Sequence, residues 1–142
     1  MIPDWSEGLP VRIGEFVRGL YEPSPETKEY WEGLGRKELL IKQCSTCKAY
    51  CHPRRMVCST CMSNALQWVV AEGKGKIYSY SVIHRPLSPK LKGPYAVGLI
   101  ELREGVVIFG RIIPADEQVI KIGAGANLSF NPQDGLPEFL VE

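Results

Sequence analysis

Cys44-Ser45-Thr46-Cys47 and Cys58-Ser59-Thr60-Cys61 are two identical C-S-T-C tetrads within 18 residues. Each can close into a tight knuckle that aims two sulfurs at one point. Two such knuckles facing each other make a tetrahedral cage of thiolates, which suits zinc and, less often, iron. Four protein ligands leave no open position for water or substrate, so the expected site is closed and structural. The remaining cysteine, Cys51, reads as a buried or half-buried spare thiol. His52 reads as a packing or hydrogen-bonding residue, since four thiolates already fill the shell.

Upstream of the first tetrad, Glu38-Leu39-Leu40-Ile41-Lys42-Gln43 reads as a strand leading into the knuckle. Ahead of it, Pro23-Ser24-Pro25-Glu26 has the signature of a helix start. Ser24 is placed to cap, Pro25 fits the first helical position, and Glu26 and Glu29 suit the positive end of the dipole. Tyr30, Trp31 and Leu34 form an apolar face, and Gly33 or Gly35 is expected to end the helix. Tyr30 and Trp31 either dock this helix on its own domain or anchor a partner, as such side chains often do at interfaces. Residues 1–23 carry no clear pattern and read as an arm.

Ten residues separate the tetrads, enough for a small hairpin that carries His52-Pro53-Arg54-Arg55. Downstream the pattern becomes β. Gln67-Trp68-Val69-Val70-Ala71 is a short strand, and Gly73 and Gly75 mark a bend or bulge. The segment 76–84 alternates, with Ile77, Ser79, Ser81 and Ile83 on one face and Tyr78, Tyr80 and Val82 on the other. Residues 85–94 form a loop. Residues 95–102 and 106–113 form a hairpin across Arg103-Glu104-Gly105, and 126–130 is a last strand. After Pro132 the tail reads as short and extended. Five short strands with glycine-marked bends over about 70 residues suit a small closed barrel of OB type. The fold class expected is mainly β, with an N-terminal helix and zinc ribbon followed by that barrel. The boundaries expected are 1–23 for the arm, 24–65 for helix plus ribbon and 66–142 for the barrel.

The chain has 142 residues, room for one ordinary domain or a small domain plus a metal-stapled module. Its formal charge of +1 becomes −1 once four thiolates hold a divalent ion, a poor overall match for a phosphate-backbone binder. An odd count of five cysteines, four of them spoken for, argues for a reducing compartment. The first residues show no basic segment followed by an apolar run, and no apolar stretch is long enough to span a bilayer. A cytoplasmic protein without a membrane partner is expected.

The order of helix, ribbon and barrel resembles the DUF35 family, a rubredoxin-like zinc ribbon fused to an OB-fold. The likeness is carried by Tyr30-Trp31-Glu32-Gly33-Leu34, by 38–44, and by Cys47, His52-Pro53-Arg54 and Cys58 through Cys61. It continues in Trp68 and in Gly73-Lys74-Gly75-Lys76-Ile77-Tyr78-Ser79-Tyr80-Ser81-Val82, taken as the first barrel strand, then His84-Arg85-Pro86. Pro94-Tyr95-Ala96-Val97, Ile122-Gly123 and Leu128-Ser129-Phe130 complete it. The resemblance implies an accessory, non-catalytic subunit in a hetero-oligomer. Its implied partners are thiolase-like enzymes, aldolases, hydroxymethylglutaryl-CoA synthase or hydratases, and it would help handle acyl-CoA thioesters. Cys51 and the first 23 residues depart from the shared pattern.

Within that frame the basic residues Lys48, Arg54, Arg55, Arg85, Lys90 and Lys92 either offset the negative cage or form a patch for coenzyme A phosphates or an acidic partner. The ligand- or partner-binding set is thus Tyr30, Trp31, Arg54, Arg55, Arg85, Lys90 and Lys92. His84 stands alone at a strand end, and no catalytic residue is assigned. Two other readings stay open. One is a single-stranded nucleic-acid module, with Tyr78, Tyr80 and Tyr95 stacking on bases, although the near-neutral charge disfavours it. The other is a redox or iron protein of rubredoxin type.

Overall fold

The computed structural model describes residues 24–85, 93–133 and 135–142. Among the described residues one helix, α1 (Lys28–Gly35), precedes eight strands. β1 (Leu40–Cys44), β2 (Tyr50–Cys51) and β3 (Leu66–Val70) form a three-stranded antiparallel sheet in the order β2-β1-β3. β4 (Lys74–Ile83), β5 (Tyr95–Leu102), β6 (Val107–Ile113), β7 (Gly125–Phe130) and β8 (Pro137–Val141) close into a barrel in the order β4-β5-β6-β8-β7. β7 returns to pair with β4, and β6 and β8 run parallel. This is the five-stranded Greek-key order of an OB-fold. Among the described residues no helix is long and apolar enough to cross a membrane.

The helix begins three residues later than its capping signature suggests. Residues 24–27 first close a turn, in which the Thr27 N–H donates to the Ser24 carbonyl at 3.0 Å. Ser24 therefore heads that turn, and Thr27 occupies the cap position without a side-chain cap bond. Gly33 is not the stop. It lies buried inside the helix, where a Cβ would meet Leu40 Cδ1 at 2.7 Å, so its missing side chain lets α1 sit close on β1. The helix ends at Gly35, and Lys37 takes the left-handed turn with φ 60°.

β1 is buried along most of its length because it is the central strand of its sheet and α1 packs on it. Leu34, Leu39, Ile41 and Ala71 belong to the same continuous core as the barrel residues Ile77, Ile100, Ile108, Ile112 and Phe139. Ribbon and barrel are thus joined by shared apolar packing as well as by the chain. Gly73, at φ 83°, makes the bend between them and lies against Leu128.

The five barrel strands are not the five expected. Trp68 and its neighbours, read as opening the barrel, pair instead with β1, so the boundary expected before Leu66 cuts through the ribbon sheet. The vacancy in the barrel is filled by β8, from the tail expected to be merely extended. Phe139 on β8 is among the largest wholly buried side chains.

The expected faces of 76–84 are also corrected. A β-bulge shifts the register between Ile77 and Ser79. The extra residue, Tyr78, is expelled to solvent, and the strand changes phase. Ile77 points inward before the bulge, and Tyr80 and Val82 pack against the core after it.

Candidate metal centre

The two tetrads fold alike, bond for bond. In the first, the Cys44 N–H donates to the Ala49 carbonyl at 2.8 Å and the Lys48 N–H returns to the Cys44 carbonyl at 2.9 Å. In the second, the Cys58 N–H donates to the Ser63 carbonyl at 2.8 Å and the Met62 N–H returns to the Cys58 carbonyl at 3.1 Å. Lys48 and Met62, each following its tetrad, take left-handed φ values of 65° and 62°. The knuckles are tied together by the Ser45 N–H on the Ala65 carbonyl at 2.8 Å and by the Thr46 and Ser63 hydroxyls at 3.0 Å.

This pairing brings the four sulfurs within 4.8 Å of one another. Cys44 Sγ lies 3.6 Å from Cys61 Sγ, and Cys47 Sγ lies 3.5 Å from Cys58 Sγ. A tetrahedron of sulfurs about 2.3 Å from a central zinc has edges of about 3.8 Å, so the cage is the right size. Cys44 and Cys58 are buried, while Cys47 and Cys61 reach the surface.

The acid–base character of the cage also calls for a cation. The Cys61 and Thr60 N–H groups hold the Cys58 sulfur as thiolate and bring its pKa down to about 6. Backbone donors at Cys47 and Thr46 likewise lower Cys44. The Ala49 N–H pulls Cys47 the same way, but burial and the neighbouring sulfurs outweigh it and push that thiol up to about 12. Four sulfurs this close cannot all ionise unaided, and a divalent ion supplies the missing charge. The donor set and geometry fit zinc, in a closed site that offers no position to substrate.

The remaining cysteine, Cys51, is 2% exposed and packs beside Cys44 and Cys58 with Ala49 and Leu66. It floors the cage and is not one of the four. His52 does not reach the metal cage. Its Nδ1 accepts the Arg54 N–H at 3.2 Å, and its carbonyl accepts the Arg55 N–H at 2.9 Å. Burial, then Arg54 and Arg55, hold its imidazole below the usual range.

The seven residues expected to meet a ligand or partner divide into four groups. Tyr30 and Trp31 stack edge to face, with centroids 5.3 Å apart, and both pack against the core, so they dock α1 on its own fold. Burial raises the Tyr30 phenol to about 12. Arg54 and Arg55 are exposed side by side on the ribbon loop, whereas Arg85 is exposed at the end of β4. Lys90 and Lys92 lie outside the described residues, as does most of the loop expected at 85–94. Of the three tyrosines read as a stacking platform, Tyr78 is exposed, Tyr80 packs on the core and Tyr95 is half-buried. They do not present one face. His84 pairs with Glu117 at the surface, Nε2 to Oε1 at 3.0 Å.

Sequence reasoning passed over Lys42. Its ammonium is buried, donates to the Arg55 carbonyl at 2.7 Å and lies 4.6 Å from the Trp68 ring centroid. Desolvation lowers its pKa, and the carbonyl and indole are its compensation. This lysine fastens the loop bearing Arg54 and Arg55 to the ribbon sheet. The only signal was a charge in the middle of an otherwise apolar strand. A second unforeseen cluster braces the ribbon–barrel joint. Glu104 Oε1 accepts the Glu72 N–H at 2.7 Å, and Arg103 Nη1 meets Glu72 Oε1 at 3.0 Å.

Comparison with known proteins matches residues 31–67 to the rubredoxin-like zinc ribbon domain of ChsH2 and residues 68–131 to the ChsH2 C-terminal OB-fold domain. A DUF35 domain-containing scaffold protein of Methanocaldococcus jannaschii is 32% identical over 70% of this chain and 73% of its own length. A probable enoyl-CoA hydratase alpha subunit of Thermomonospora curvata is 34% identical over 78% of this chain, which spans only about a third of that longer protein. Among solved structures, a chain of the Ltp2-ChsH2(DUF35) aldolase superposes with a TM-score of 0.74 at 31% identity, covering 83% of this chain and 95% of that one. With cysteine cage, strand order and sequence all in agreement, the chain belongs to the DUF35 family of zinc-ribbon and OB-fold proteins.

Proposed function

We propose that this protein is a non-catalytic accessory subunit of an acyl-CoA-processing enzyme. It binds a hydratase, an aldolase or another thiolase-superfamily subunit and helps hold or pass acyl-CoA thioesters. The observation that carries the reading is the match to the ribbon–barrel chain of the aldolase complex over nearly that chain's whole length. The zinc cage fits a structural rather than a reactive role, since four thiolates complete the shell. Arg54 and Arg55, exposed on a loop that Lys42 anchors, are the groups best placed for coenzyme A phosphates or an acidic partner surface.

The experiment is purification of the tagged chain from its host, with mass spectrometry of what stays bound. An acyl-CoA enzyme subunit in constant ratio is expected, and a chain that elutes alone or with nucleic acid refutes the reading. Reversing Arg54 and Arg55 together to Glu should weaken binding of acyl-CoA to the reconstituted complex about tenfold while zinc stays bound. Unchanged binding removes the arginines from the proposal and leaves the partner intact.

A further inference from the structure

Apart from Glu101 on β5 and Arg111 on β6, β5 and β6 are apolar on both faces. Tyr95, Val97 and Leu99 alternate with Ala96, Gly98 and Ile100 on β5, and Val107, Phe109 and Ile113 alternate with Ile108, Gly110 and Ile112 on β6. Strands that read this way are ordinarily covered on both sides. Here the inward set is packed, and the outward set meets no cover among the described residues. The register assembles it into two rows. Leu99 lies opposite Phe109, with Tyr78 beside them at the bulge. Farther along, Ile113 lies opposite Leu140. Phe109 is 62% exposed, Tyr78 58%, Leu140 43%, Ile113 39% and Leu99 36%.

These five side chains leave roughly 400–500 Å² of apolar surface in water, near the upper end of what a monomer shows in one patch. A stable complex covers about 800 Å² on each partner, so the patch has the area of an interface core with room for a polar rim. Charge enters the patch at two places: Lys76 and Glu101, exposed and opposite each other in register, border the Leu99–Phe109 row, and Arg111 and Glu138 lie between the two rows. Arg111 sits opposite Glu138 in register and has an interaction partner, and Glu138 Oε2 accepts from Asn131 Nδ2 at 3.3 Å. Each of these cross-strand pairs joins one basic and one acidic residue, so the face carries no net charge for a partner to match. A second copy, turned about a two-fold axis through the middle of the face, would bury both charged rows against each other at a desolvation cost.

We infer that this outer face of β4, β5, β6 and β8 is where the acyl-CoA enzyme subunit docks, through a shelf of aliphatic and aromatic side chains with no net charge. The inference rests on the accessory reading above. The face belongs to the barrel, so docking there leaves the ribbon loop with Arg54 and Arg55 free for a thioester.

The test uses the subunit retained by the tagged chain, identified by mass spectrometry, purified and re-mixed. Phe109→Glu and Tyr78→Glu are made separately, and Ile122→Glu serves as a control, an exposed apolar residue on the connector between β6 and β7. All three should keep full zinc content and an unchanged melting temperature. The two face variants are expected to bind the subunit at least tenfold more weakly, and the control to bind it as the parent does. Equal binding by all of them overturns the inference and spares the accessory role. So does a parent that is a dimer in light scattering and becomes a monomer on Phe109→Glu, or a hydrophobic dye that reaches the face only after residues 1–23 are removed. If the parent retains no acyl-CoA enzyme subunit, the accessory reading itself fails and this inference goes with it.

Discussion

Met62 and Lys48 hold left-handed backbone without being glycine, each directly after the second cysteine of its knuckle. An L-residue there costs about 1–2 kcal/mol, whereas glycine enters freely but gives up roughly 0.5–1 kcal/mol through the unfolded chain. Met62 is 70% exposed, so its side chain contributes little packing to offset the strain. Met62→Gly should therefore leave zinc affinity unchanged or tighten it by a few-fold. Met62→Val, which adds a β-branch to a conformation that excludes one, should loosen zinc by about tenfold, equivalent to about 1.4 kcal/mol. Competition with a chromophoric chelator reads both, because ordering the knuckle and binding the metal are one equilibrium. If valine binds zinc as tightly as methionine, the turn is not what limits the site.

The barrel depends on a side chain that meets the backbone across strands. Gly110 on β6 is buried where the Phe139 ring of β8 lies over it, and a Cβ there would come within 2.8 Å of the ring. Phe139→Ala should cost about 3–5 kcal/mol, a large share of the total stability of a domain this size. Gly110→Ala should also destabilise, by about 1–3 kcal/mol through overpacking. The two sites are coupled, so Gly110→Ala should cost measurably less in a Phe139→Leu background. A double-mutant cycle by urea denaturation checks this, and strict additivity would mean that the ring does not fill the space over Gly110. The same strands show what could be read in advance. The cysteine spacing prescribed the cage because four ligands on two short turns have few arrangements. Strand pairing lacked any such constraint. Alternation around Trp68 announces a strand without naming its sheet, and the choice of β1 over the barrel is made by packing between distant residues. β8 was obscured by the proline that opens it and by its short length. The bulge at Tyr78 left a trace, since Ser79 and Ser81 alternate with Tyr80 and Val82, but a constant two-residue period hid the change of phase. Lys42 and the Glu72–Arg103–Glu104 brace exist only through contacts that the chain makes after folding.

At the scale of the molecule the apolar packing of the described residues falls into two clusters of unequal size. The larger runs without interruption from α1 and β1 through Ala71 into the barrel. The smaller consists of Cys44, Cys51 and Cys58 with Ala49 and Leu66 beside them. Three buried thiols and two partly buried neighbours cannot offset the ordering cost of the knuckles, about 1–2 kcal/mol per residue, so the metal must. A structural zinc site supplies on the order of 10 kcal/mol, ample for that purpose. Zinc removal should therefore act locally. Residues 44–65 lose their order, while the barrel, the helix and the first half of β1 persist because their core contains no metal ligand. Chelation, or Cys58→Ser, is expected to abolish amide-exchange protection in the knuckles and to leave it on β4 to β8. Thermal melts should then show the barrel transition lowered by only a few degrees, reflecting the lost support of the knuckles and β2. Simultaneous collapse of barrel and ribbon on chelation would mean that the shared core at Ile41 and Ala71 transmits the loss, and that the cage supports the whole molecule. Zinc retained in full by Cys58→Ser would remove that cysteine from the cage.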